Sequence, residues 1–80
     1  MRSMRTDRDW QAMVKGLIRA ELVRRQLSYA DLAERLSSIG VRETARNISN
    51  KVNRGKFTAV FLVQCMEAIG VQTIHLSSGD

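Results

Sequence analysis

Residues 42–56 read RETARNISNKVNRGK. Five cations stand here (Arg42, Arg46, Lys51, Arg54 and Lys56) against one acid, Glu43, a net of +4 in a chain whose total is +5. Asn47, Asn50 and Asn53 fall within seven residues of one another. Guanidinium and carboxamide groups are the side chains that pair two-point with the edges of guanine and adenine. Ammonium and guanidinium groups also neutralise phosphate. Charge concentrated on one element points to a polyanion. The plainer alternative is an ordinary solvated helix face, but asparagine is a poor helix former. Glu, Lys or Gln would serve solubility better, so the three amides suggest a contact.

To present those groups together, the segment must be a helix. Val41, Ala45, Ile48 and Val52 recur at steps of four, three and four. This predicts a third helix over about 44–54, capped by Thr44 and stopped by Gly55. Glu43, Arg46, Asn47, Asn50, Asn53 and Arg54 fall on its other face, where Glu43 would repel phosphate. Before it, Trp10, Met13, Val14, Leu17, Ile18 and Leu22 make one stripe of a first helix over 9–25, started by Asp7 or Asp9 and ended by Arg24 and Arg25. Trp10 and Phe61 are expected in the core. Gly16 costs about 1 kcal/mol inside that helix, and close packing would explain it. The stretch LSYADLAERL, residues 27–36, is a short second helix with Ser28 and Asp31 as a capping pair and Gly40 as its turn. A fourth helix runs from its cap Thr58 to Ile69 before Gly70. Its apolar arc is wide enough to imply a central place in the core or a subunit contact. QTIHL, residues 72–76, is expected as one turn or a short strand.

The totals exclude several classes. With 80 residues the chain is one domain over 9–72, between a flexible basic tail at 1–8 and a short tail at 73–80. One cysteine, Cys65, and one histidine, His75, allow neither an internal disulfide nor a four-ligand metal site. No base is placed beside a nucleophile, so an enzyme is the least favoured class. No cofactor or small-molecule substrate is implied. No apolar run reaches membrane-span length and the N-terminus lacks a signal-peptide core, so a cytosolic protein is expected.

The chain resembles the lambda-repressor/Cro-like helix-turn-helix family. The resemblance rests on Leu27, Ser28, Leu32, Ala33 and Leu36 in LSYADLAERL, on ISNKVNRGK with Ile48, Val52 and Arg54–Gly55, and on FLVQCMEAIGV. Together these lie within residues 10–71. A small set of bacterial domains of unknown function looks closer still. Two departures are visible: the connection from Leu36 to Ile48 is about five residues longer than the family's tight turn, and the chain ends where a fifth helix would start. The resemblance implies a compact all-α bundle of four helices, with room for a short fifth element. It also implies a sequence-specific double-stranded DNA-binding protein, a transcriptional regulator, acting as a homodimer.

By that resemblance the third helix would lie in the major groove. Arg46 would meet guanine, Asn47 or Asn50 adenine, and Arg54 would complete the base-reading face. Ser28, Tyr29, Arg42, Lys51 and Lys56 would hold phosphate. Arg2 and Arg5 would follow a groove as an arm, or belong to a disordered tail. Phe61, Val63 and Cys65 on the fourth helix would form the dimer contact. The rival expectation is a protein-interaction module on the same fold, without DNA binding.

Overall fold

A hydroxyl starts every helix of the fold. The computed structural model describes residues 4–76. In it Thr6, Ser28, Thr44 and Thr58 stand in extended backbone, and each side-chain oxygen accepts an N–H three residues on. Such a cap stabilises a helix by about 1 kcal/mol. The helices that follow are α1 (Asp7–Arg24), α2 (Tyr29–Ser38), α3 (Ala45–Arg54) and α4 (Ala59–Ala68), with no strand among the described residues. The architecture is the expected all-α four-helix bundle.

Three of those caps are the ones the sequence marks; the first is not. The sequence points to Asp7 or Asp9 as the cap, but Thr6 takes the place and Asp9 closes the box from inside the helix. The Thr6 N–H donates to the Asp9 carboxylate at 2.9 Å and the Asp9 N–H to Thr6 Oγ1 at 3.2 Å. The helix therefore takes in Asp7 and Arg8, starting two residues before the predicted position 9. Ser28 and Asp31 make the same reciprocal pair at 2.8 and 3.1 Å.

Packing follows the apolar stripes. Ile18 and Leu22 of α1, Leu32 and Leu36 of α2, Ile48 and Val52 of α3, and Phe61, Cys65 and Met66 of α4 form one core, with Ile69 just beyond α4. Helices α1 and α2 each pack on both α3 and α4. Burying an aliphatic or aromatic side chain of this size contributes about 1.5–3 kcal/mol, so these few residues carry most of the fold. Gly55 holds two constraints at once. It ends α3 in left-handed backbone (φ 64°), and its α-carbon lies so close to α1 that an added Cβ would sit 2.6 Å from the Gln11 carbonyl oxygen.

Three expectations are corrected. Trp10 is 51% exposed, not core; it lies at the start of α1, and the Arg5 guanidinium covers its ring, 5.1 Å from the centroid. Gly16 serves no close packing inside the chain, since nothing lies within 4 Å of where its Cβ would be. The 71–76 stretch forms neither a turn nor a strand and runs as irregular chain. No helix among the described residues is long and apolar enough to cross a membrane.

Candidate nucleic-acid interface

Because Ile48 and Val52 are fully buried and Val41 and Ala45 half-buried beside them, the remaining side of α3 is turned outward. Arg46, Asn47, Asn50, Asn53 and Arg54 are all exposed there. Residues three and four apart are neighbours on a helix surface, so Asn50 adjoins both Arg46 and Asn47. Among the described residues no hydrogen bond or ion pair engages the side chains of Arg46, Asn47 or Asn50; the Asn47 backbone N–H goes to the Thr44 cap at 3.0 Å. The outer amides and the Arg46 guanidinium are therefore free to meet an external partner. Farther along, Asn53 Nδ2 donates to Ser49 Oγ at 3.2 Å, and Arg54 Nε donates back to the Asn50 carbonyl at 3.3 Å. Arg54 is thereby folded along its own helix end.

The flanking cations divide into two groups. Arg42, in the connection before α3, and Lys56, just after it, are exposed and make no ion pair among the described residues. Lys51 differs from its expected role. Its ammonium donates to Glu43 Oε2 at 2.6 Å and sits 4.7 Å from the centroid of the Phe61 ring. The Glu43 side chain is only 15% exposed, so it does not stand out to repel phosphate. Glu43 and Lys51 neutralise each other and tie the long α2–α3 connection to α3 and, through Phe61, to α4. That connection is ordered by Gly40 and Val41, whose N–H groups return to the Ser37 and Leu36 carbonyls at 3.0 and 2.9 Å.

The remaining assignments separate by burial. Ser28 is exposed and Tyr29 half-buried at the start of α2, where Tyr29 also packs against the core; the Ser28 oxygen is engaged as the helix cap. Arg5 is engaged with Trp10 and donates to the Met13 sulfur at 3.6 Å, so it does not trail as a free arm; Arg2 lies outside the described residues. Phe61 and Cys65 are core and offer nothing to a partner subunit, which corrects two of the three expected dimer residues. Val63, with Val60 one turn earlier, is exposed (60% and 65%). Burial pushes the Cys65 thiol up to about 12, with the nearby Glu43 charge adding to it. No group of His, Cys, Asp and Glu able to hold a metal ion occurs among the described residues.

Sequence reasoning missed the Glu43–Lys51 pair and the Arg5–Trp10 stack. An eight-residue separation across a loop and a helix has no periodic signature. The Thr6–Asp9 capping box did have one, a threonine three residues before an acid and just ahead of an apolar stripe.

The description "Domain of unknown function (DUF6471)" belongs to a family model that matches residues 10–74, from the first turn of α1 to the irregular stretch after α4. The chain belongs to that family. No curated protein and no solved structure matches it.

Proposed function

We propose that this DUF6471 member is a sequence-specific double-stranded DNA-binding protein, a transcriptional regulator of the lambda-repressor-like helix-turn-helix kind, with α3 as its reading helix. The observation that carries the proposal is the outward face of α3: Arg46, Asn47 and Asn50 are exposed, adjacent and without partners among the described residues. Free cations at Arg42 and Lys56 bracket that face. Arg46 meets a guanine edge and the two amides meet adenine, each correct pair supplying about 1–3 kcal/mol of discrimination. Arg42 and Lys56 hold phosphate on either side, so affinity falls steeply with salt. Tyr29 and Ser28 reach the backbone from the start of α2, and Arg54 follows the end of the reading face. Lys51, already paired, is left out of the phosphate set. A homodimer reading a two-fold site completes the proposal.

The test is a salt-titrated binding assay on random-sequence and selected duplexes. Duplex affinity should drop steeply between 50 and about 200 mM salt and be lost on Arg46→Ala plus Asn50→Ala. Retention unchanged by that double substitution overturns the recognition-helix assignment. One observation favours the rival protein-contact reading, namely Val60 and Val63 exposed side by side on α4. If Val63→Glu dissolves a complex while the α3 substitutions change nothing, the module acts through α4 and not through DNA.

A further inference from the structure

Helix α4 turns Phe61, Cys65 and Met66 into the core and leaves Ala59, Val60, Val63 and Glu67 exposed on its other side. Single exposed apolar residues are ordinary on a protein surface. Val60 and Val63 are different, because residues three apart adjoin on a helix. Among the described residues they are the one pair of exposed large apolar side chains that are neighbours on a helix. Charge frames them. Glu67 is the one charged residue of α4, and Lys56 is the one charged residue between α3 and α4. Both are exposed, and neither makes an ion pair among the described residues. The other charges close in sequence are engaged. Lys51 is held by Glu43, and Arg54 lies back along its own helix end.

The spacing of these four residues identifies the occupant. Lys56 stands four residues before Val60, and Glu67 stands four residues after Val63. The order cation, valine, valine, acid is therefore symmetric in position and opposite in charge about the midpoint of the two valines. Run antiparallel, the stretch complements itself. A two-fold axis through that midpoint sets Val60 on Val63 of the partner subunit, Ala59 beside the partner's Gln64, and Lys56 opposite the partner's Glu67. Self-complementarity of this kind is what a two-fold contact requires. A parallel pairing would set Lys56 against Lys56 and Glu67 against Glu67, which like-charge repulsion disfavours. We infer that the outer face of α4 is an antiparallel homodimer contact, with Val60 and Val63 at its centre and a Lys56–Glu67 ion pair at each end. The inference gives a surface and a register to the homodimer of the proposed function. Lysine carries three donors, so Lys56 can hold the partner's Glu67 and a phosphate together.

The experiment is sedimentation equilibrium of the full chain without DNA, in about 50 mM salt so that screening is weak. A contact built on one short helix is at the small end of specific interfaces, so a reversible dimer with a dissociation constant on the order of 100 µM is expected. Val63→Glu should weaken it at least tenfold, and since Val63 is exposed the variant should keep the parent's circular dichroism and melting temperature. Two-fold symmetry makes each substitution act twice, so Lys56→Glu alone and Glu67→Lys alone should each weaken association roughly tenfold. The double variant Lys56→Glu plus Glu67→Lys should recover it, which a loss of fold could not do. A chain that stays monomeric up to about 1 mM overturns the inference, as does a dimer indifferent to Val63→Glu or to the two single charge reversals. A monomer that nevertheless acquires mass with an added helical partner also overturns it, giving the face to another protein. The DNA reading is judged separately. Loss of the dimer with duplex binding intact sinks this contact alone, and a dimer with no duplex affinity sinks the recognition helix alone.

Discussion

Replacing Gly55 with alanine should be among the most damaging single-methyl changes this chain can suffer, and the reason separates into two measurable parts. The first is local. Gly55 has φ 64°, a conformation that costs an L-residue roughly 1–2 kcal/mol. The second is tertiary. The new methyl would lie 2.6 Å from the Gln11 carbonyl oxygen, 2.9 Å from its Cβ and 3.0 Å from its carbonyl carbon. Those are mostly backbone atoms of α1 that no rotamer change can move, and forced overpacking of this kind costs about 1–3 kcal/mol. Together the loss is about 2–5 kcal/mol. At about 4–8 °C per kcal/mol for a domain of this size, the melting temperature should fall by at least roughly 8 °C. Two positions isolate the tertiary part. Gly40 and Gly70 have φ 85° and 82°, and nothing lies within 4 Å of either Cβ position. Gly40→Ala and Gly70→Ala should therefore show the conformational part alone. The assay is urea unfolding of the three variants and the parent by circular dichroism. If Gly55→Ala costs no more than the other two, the close approach of α1 to the end of α3 has no energetic weight and the argument fails.

Lys51→Met should destabilise the fold by about 1–2 kcal/mol, because it leaves Glu43 without its cation and removes the ammonium over Phe61. In duplex titrations it should leave the salt dependence near the parent's, whereas Arg42→Met should reduce the slope by about one counterion; a slope change for Lys51→Met equal to that for Arg42→Met would return Lys51 to the phosphate set. Cys65 should resist thiol reagents at pH 8 until the chain unfolds, since it is fully buried and its thiol is raised to about 12; stoichiometric labelling of the native protein would contradict that burial. The backbone and hydroxyl hydrogen bonds of Ser28 hold the Asp31 carboxyl below its ordinary value of 3.8, so its folded form binds a proton less readily than its unfolded form. That contribution is complete above about pH 5 and is lost as pH falls through the depressed value, and Asp31→Ala should flatten the acid limb of a melting-temperature profile. An unchanged acid limb would remove Asp31 from the pH-dependent part of stability.

What was legible in the sequence was whatever repeats along a helix or caps one. Ile48 and Val52 announced the inner side of α3 by their spacing, and their burial then fixed Arg46, Asn47 and Asn50 outside without further information. Ser28, Thr44 and Thr58 were legible because a cap is a local event, settled by one hydroxyl and an N–H three residues away. Trp10 failed for the converse reason. Its place on the wheel of α1 says which side it leans toward, but not that the ring stays half exposed with Arg5 covering it. Gln26 was equally hidden. It takes φ 57° after α1 because Leu27 must turn back for its N–H to meet the Leu22 carbonyl at 2.8 Å, a demand set by the tertiary path of the chain and met without glycine.

The long α2–α3 connection shows how such a tertiary contact alters a functional reading. Counted along the sequence, Lys51 is one of five cations and Glu43 the acid that spoils them. In space the two cancel beneath Phe61, and the segment keeps its net charge while the exposed share of it shifts to Arg42, Arg46, Arg54 and Lys56. The electrostatic surface offered to a partner is thus cleaner than composition suggests, because the one carboxylate in the segment is largely buried and held by Lys51. The residues between α2 and α3 have a mechanical consequence. They carry Glu43 to where it can reach Lys51, so the connection is anchored at its far end as well as by the Gly40 and Val41 turn. Anchored at both ends, the longer connection holds α3 against α2 and still leaves Arg42 standing free at its edge.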